Sequence, residues 1–442
     1  MARTASRTAG PGDVGHNMAV AAITNLIAPA AAFASAPILA RALGVEARGE
    51  VGAATSPLLL MTALATVGLP AAVTVLTAKR PEIARFALAH ATLLVGVSGV
   101  IGTLVSILLA PFLAGGSMEI AHLISITSLA IVPTLLIAVL RGAASGHHEW
   151  RLVNREKYIT AFVRLGGVIA LWLAGVLTVE TSIAAIALSP IIGGLAYLNI
   201  GKLSVPHAGG VKSRTISGDL LGFGTRVWVG SLSGILLSRL DQVLIIPLSN
   251  TQQLGYYVTA VSVAEVALVV NNAVRDVILA SDAAQADTAK LTMSARVSFL
   301  VSIIIGAVLV GSMWVWFPWL FGQEFQPAVA VSSVLVLAGT IGVPGSVAGA
   351  GLSSRGRPGL RSSALVIAVV INVLALLVLV PPMGAMGAAI ATLIGNIVSA
   401  NLSITFFCRL SKTNPLDLYL IRPSDVRVLI AVSKRVLKRQ PK

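Results

Sequence analysis

The feature that most constrains this chain is a succession of about twelve apolar runs, at 18–43, 51–78, 84–112, 119–143, 158–179, 182–201, 219–248, 252–280, 292–320, 327–351, 359–380 and 385–408. A helix needs roughly 20 apolar residues to cross a bilayer. These runs are too long and too continuous for the ten-residue alternation of an outer-membrane barrel. Composition agrees: 56% of the 442 residues are hydrophobic, 11% are charged and the mean hydropathy is +0.90. The expected fold class is therefore an all-α polytopic membrane protein of about twelve transmembrane helices.

A net charge of +15 would suit a nucleic-acid partner if the cations shared a patch, but they are distributed by loop. Of the 32 Lys and Arg residues, 29 fall at one set of span ends or in the C-terminal tail, among them Arg80, Arg141, Arg164, Arg226, Arg296 and Arg355. The opposite ends hold Arg41 and Arg48, and Arg239 lies inside a span. The positive-inside rule places both termini in the cytoplasm, and nucleic acid is not an expected partner. The polar lead of about 17 residues and the first apolar stretch of about 25 are both too long for a secretory leader, so the first run is read as a span. Cys408 is the single cysteine, which precludes an intrachain disulfide. His147 and His148 read as a solvated cytoplasmic turn rather than a metal site. No Walker-type loop, HExxH or CxxC occurs, so neither a cofactor nor enzymatic chemistry is expected.

Internal repetition supplies the organisation. SITSLAIVPTLLIAVLRGAASG, a basic loop, a span and then VLTVETSIAAIALSPIIGG in the first half correspond to SVLVLAGTIGVPGSVAGAGLSSRG, a basic loop, a span and LVPPMGAMGAAIATLIGNI in the second. Pro133 aligns with Pro344 and Ala184 with Ala388, the longer first-half loop GHHEWRLVNREKY absorbing the difference in offset. Six spans per half make a parallel repeat about an axis along the membrane normal. The expected division is a first lobe over 1–205, a second over 206–410 and a basic tail over 411–442. The pattern of SDVRVLIAVSKRVLKRQPK suits an amphipathic helix on the anionic lipids of the cytoplasmic face.

Charges embedded in the spans should mark the site, because an ionised group deep in the bilayer costs several kcal/mol unless it meets water or a partner. In SRLDQVLIIPLSNTQQLGYYVTA, Arg239 and Asp241 lie roughly 10 to 14 Å from the outer end of the seventh span. Two residues apart, they point to different sides of a helix, so each needs its own partner. On the eighth span Tyr257, Glu265, Asn272 and Asp276 fall on one face, a polar stripe that should meet protein or water. One reading pairs Arg239 with Glu265 as a lock between the seventh and eighth helices. The other leaves Arg239 for a ligand.

The motifs carry a resemblance. ILARALGVEARGEVGAATSPLLLMTALATVGLPAAVTVL is similar to the first hairpin of polysaccharide biosynthesis membrane proteins, RLDQVLIIPLSNTQQLGYYVTA to their seventh span and turn, and FPWLFGQEFQPAVAVSSVLVL to their ninth and tenth. These are O-antigen-type flippases of lipid-linked oligosaccharides, in the superfamily that also holds lipid II flippases and multidrug extruders. The resemblance implies two six-helix lobes around a central cavity in a bacterial cytoplasmic membrane. It implies a polyprenyl-(pyro)phosphate-linked oligosaccharide as cargo, moved to the outer leaflet, with glycosyltransferases or a polymerase as further partners. Under that reading Arg239 is suited to the cargo phosphate, since a guanidinium matches phosphate oxygens bidentately. Arg41 near the outer end of the first helix, and Arg164 and Arg226 near inner ends, would extend a cationic track. Asp241, Glu265 and Asp276 are the acids available for ion coupling, and Tyr257 and Asn272 would complete the polar face. Trp314, Trp316, Phe317 and Trp319 read as an interfacial aromatic belt. Two other readings remain: a drug/cation antiporter of the same superfamily, and a non-transporting scaffold for cytoplasmic glycosyltransferases.

Overall fold

The computed structural model describes residues 11–198, 213–282, 288–423 and 425, without the side chains of 11–26, 213–217, 226 and 267–282. Twelve α-helices form it: α1 (Pro11–Ala65), α2 (Leu69–Lys79), α3 (Ala84–Leu113), α4 (Met118–Ser128), α5 (Ile131–Gly146), α6 (Trp150–Leu173), α7 (Val179–Gly193), α8 (Ser213–Leu248), α9 (Thr251–Asp282), α10 (Thr288–Phe321), α11 (Pro327–Ser354) and α12 (Pro358–Ser411). No strand occurs among the described residues.

Helices and crossings do not correspond one to one. Eight segments among the described residues are long and apolar enough to span, including Ile27–Ala65 and the 54-residue Pro358–Ser411. Those two are each a pair of crossings joined without a loop. Gly44 (φ 80°) turns α1 back at the face that the charge pattern assigns to the outside, and Gly384 (φ 56°) does the same for α12. Both positions need the left-handed region that glycine enters without steric cost. The turn at Gly384 is secured from α9, where Gln253 Oε1 accepts the Ala385 N–H at 2.9 Å. Conversely, α1 after Gly44 continues through a break at Val67 and Gly68 (φ 47° and 69°) into α2 as one crossing. Helices α4 and α5 likewise share one. The two remaining crossings are α6 and α9, the helices that carry Arg164 and Glu265. The total is the expected twelve, six in each half.

One boundary differs in a way that matters. The stretch RLVNREKY, expected as loop, is helix, and α6 begins at Trp150 rather than at 158. Its acid, Glu156, is compatible with helix because it is paired, while Arg151 and Arg155 are exposed. Arg141 at the end of the fourth crossing gives a bidentate pair to Glu156, both bonds 2.9 Å, and Tyr197 donates to the same carboxylate at 3.5 Å.

The two halves meet along α1, α2 and α3 on one side and α8, α9 and α10 on the other. At the outer end glycine makes this contact close. A Cβ on Gly49 would stand 2.1 Å from the Thr251 carbonyl oxygen, and one on Gly255 would stand 2.0 Å from that of Val45. Along the inner part, the Trp228 indole donates to the Leu64 carbonyl at 3.0 Å, Gly68 packs on Gly224, and Arg80 meets Asp219 at 3.4 Å. The expected join between lobes at 204–219 lies largely outside the described residues, as does the surface helix expected in the tail.

Candidate functional site

The α8 backbone sends its two embedded charges to different partners. Arg239 Nη2 donates to Glu265 Oε1 of α9 at 2.7 Å, and the two side chains are 32% and 37% exposed. Asp241 is 3% exposed. Its Oδ2 accepts the Tyr257 hydroxyl and, at 3.0 Å, the Thr392 hydroxyl of α12, while Oδ1 accepts the Gln242 N–H at 2.7 Å. The carboxylate thus receives three donors from three separate places in the chain, with Arg239 within electrostatic reach, which is how a buried charge is made tolerable. Gln242 in turn reaches the first half, its Oε1 accepting Ser56 Oγ at 3.2 Å.

A cavity of about 290 Å³ in the second half lies between Asp241 and Glu265, with Arg361 of α12 also on its wall and Arg239 outside its lining. Asp241, Tyr257 and Thr392 line one part of it and Glu265 another, with Asn396, Ser399 and Ser403 of α12 continuing a polar wall. Glycines of α11, including Gly342 and Gly345, provide the room.

Across the seam the first half contributes cations. Arg164 of α6 lies within electrostatic reach of both Glu265 and Arg239, and Arg48 of α1 within reach of Arg164. The Nε atoms of Arg48 and Arg164 are buried with no hydrogen-bond partner among the described residues. Arg48 is only 8% exposed. Three guanidiniums therefore form a chain of mutual reach at the boundary between the halves, with Glu265 bonded to Arg239 and the Asp241 carboxylate within electrostatic reach of it. Buried charge in such excess is unfavourable unless an anion completes it.

The sequence matches the family model described as polysaccharide biosynthesis protein over residues 14–279, more than half of the chain. The chain belongs to this family. Similar solved structures include lipid II flippase MurJ in an inward closed conformation, with TM-score 0.72 at 13% identity over 95% of this chain and 93% of that one. An inward-facing multidrug resistance MATE family transporter of the MOP superfamily gives 0.71 at 17% identity, over 89% and 99%. The MATE multidrug transporter DinF-BH gives 0.66 at 14% identity, over 96% and 100%. No curated protein matches the sequence. These likenesses establish the twelve-helix fold of that superfamily for this polysaccharide biosynthesis protein.

Within this family member several expected site residues take places that spacing did not indicate. Arg164 is not near an inner end: with α6 starting at Trp150, it lies about nine residues from the outer end, or about 13 Å, a depth close to that of Arg239. Arg41 leaves the central group. Its Nε donates to the Leu320 carbonyl at 3.1 Å and Nη2 to that of Trp319, so it caps the C-terminus of α10. The aromatic group divides: Trp314 and Trp319 are exposed, whereas Phe317 is buried against Phe321 with ring centroids 4.6 Å apart. The side chains of Arg226, Asn272 and Asp276 lie outside the described residues. Arg48 and Thr392 were missed. Arg48 read as an ordinary charge at a span end, and only the rotation of the helix after Gly44 turns it inward. Nothing in the local sequence distinguishes Thr392 from the other hydroxyls of α12.

Proposed function

We propose that this protein is a flippase that carries a polyprenyl-(pyro)phosphate-linked oligosaccharide from the cytoplasmic to the outer leaflet. The observation that carries the reading is the group of three arginines, Arg48, Arg164 and Arg239, drawn from both halves and outnumbering the acids in reach, Glu265 and Asp241, with two buried Nε atoms lacking partners among the described residues. A phosphate or pyrophosphate supplies the missing negative charge, and its oxygens suit guanidinium donors. Membership of the polysaccharide biosynthesis family supports a glycan on that phosphate. The cation excess disfavours the drug/cation antiporter reading, since a cationic drug would be repelled by all three guanidiniums.

The lobes over 1–205 and 206–410 rock about this group. The outer ends are in contact here, through Arg41 and through the close approaches at Gly49 and Gly255, and the inner ends also meet, through Trp228, Gly68 and Arg80, so this form is closed at both ends and the cycle opens each end in turn. The glycan occupies the space between the lobes and the lipid tail stays in the bilayer. Asp241, shielded by Tyr257 and Thr392, is the coupling group for an ion if a gradient drives the cycle. The basic tail holds anionic lipid, and glycosyltransferases or a polymerase hand over and take up the glycan.

The test is genetic and chemical together. Deleting the protein should leave lipid-linked glycan accumulated on the cytoplasmic side with surface polysaccharide reduced. Restoration with Arg164→Ala should fail while restoration with the wild type succeeds. Unchanged surface polysaccharide with altered drug sensitivity would replace this reading by the antiporter.

A further inference from the structure

Among the described residues, the three ion pairs formed by buried or half-buried arginines are not alike. Arg296 meets Asp425 through two nitrogens, at 2.7 and 3.1 Å, with side chains 6% and 0% exposed. Arg141 meets Glu156 through two bonds of 2.9 Å, with the carboxylate 2% exposed. Both are bidentate and closed to solvent on the acid side, as a structural pair should be, because desolvated charges are tolerated only with full hydrogen bonding. Arg239 and Glu265 share one bond of 2.7 Å, and each side chain keeps about a third of its exposure. A guanidinium offers five donors. Here the carboxylate takes one.

The surroundings give Glu265 somewhere to go. It lines the 290 Å³ cavity of the second half, with Asn396 and Ser399 along the wall. Within its electrostatic reach stands Arg164, from the opposite half. We infer that Glu265 is a resident counter-ion, displaced from Arg239 by the cargo phosphate and returning to Arg239 when the cargo leaves. This rests on the flippase reading and deepens it: Glu265 sets the threshold for binding and drives release. A neutral lipid cannot displace it, so the same competition selects for an anionic headgroup. The exchange involves no covalent step, only substitution of one oxyanion for another at the same nitrogen.

The consequence is an inverse relation between binding and turnover. Glu265→Gln keeps the shape and removes the competing charge. With purified full-length protein in nanodiscs and farnesyl pyrophosphate as probe, it should bind about tenfold more tightly than wild type, as expected when a self-occupied site is freed. Flipping of a lipid-linked glycan in proteoliposomes should be slower, because release is impaired. Glu265→Asp, which keeps the charge but shortens the reach, should bind with intermediate affinity; it also answers the question if the Gln variant does not fold. Arg239→Ala in the Gln background should abolish the gain, and farnesol should bind to none of these proteins with measurable selectivity.

Two outcomes separate the counter-ion role from the flippase reading beneath it. Probe binding by wild type that is lost in Arg164→Ala, together with unchanged or weaker binding in folded Glu265→Gln or Glu265→Asp, overturns the counter-ion role and leaves the flippase reading standing. Absence of probe binding in wild type and every variant removes the flippase reading and this inference with it.

Discussion

Replacing Gly49 by alanine should open the outer seam. The added Cβ would lie 2.1 Å from the Thr251 carbonyl oxygen of α9. A carbon normally approaches such an oxygen no closer than about 3.3 Å, so the two backbones must part by about 1.2 Å along that line. Backbone cannot rotate away as a long side chain can. Overpacking of this kind costs about 1–3 kcal/mol. The strain exists only while α1 and α9 touch, so it acts on the outer-closed form and not on one in which the halves have separated. A differential of that size shifts a two-state equilibrium about 5- to 150-fold. The assay is the rate at which a membrane-impermeant maleimide labels Val258→Cys from outside, in a Cys408→Ser background. Val258 is buried and packs against Gly52 across the same seam. Labelling should accelerate at least about fivefold in Gly49→Ala with little loss of thermal stability. Gly96→Ala, whose Cβ would meet nothing within 4 Å, is the control and should leave labelling unchanged. A folded Gly49→Ala protein labelled at the wild-type rate would refute the reasoning, since the seam would then accommodate the methyl without parting.

Two further outcomes concern groups away from the central arginines. Arg41→Ala removes the cap on the Trp319 and Leu320 carbonyls, which the last turn of a helix leaves without internal partners, and should raise Val258→Cys labelling as Gly49→Ala does. Arg41→Lys should give a smaller rise, having one point of attachment where the guanidinium has two. Asp425 should confer acid-sensitive stability. Burial pushes its carboxyl up, but the Arg296 guanidinium and the Arg422 N–H outweigh this and hold it below the ordinary carboxylate range. A depressed value means that its contribution is complete above about pH 5 and is lost as pH falls through the folded value. Melting curves of wild type and Asp425→Asn in detergent should therefore stay a constant interval apart from about pH 7 to about 5 and converge below about pH 4. Convergence at neutral pH instead would mean that the pair contributes nothing.

By itself the sequence determined the membrane class and the number of crossings, and it supplied an expected sidedness. Each is a local property: hydrophobic length decides whether a segment crosses, and charge at its ends decides which way. It also established that Arg239 and Asp241 need separate partners, because their angular separation follows from helical pitch alone. Which partners they take was left to the tertiary structure. Asp241 is completed by Thr392, 151 residues away, and Arg41 is drawn off to α10, 279 residues away, because helices rotate about their axes to satisfy buried polar groups. The depth of Arg164 changed for a related reason, as Glu156 found Arg141 and let α6 start early in a stretch that composition marked as loop. Local hydropathy measures how far a residue lies along a span. Only packing between spans sets the direction in which its side chain points, and the group of Arg48, Arg164, Arg239 and Glu265 exists in that second variable.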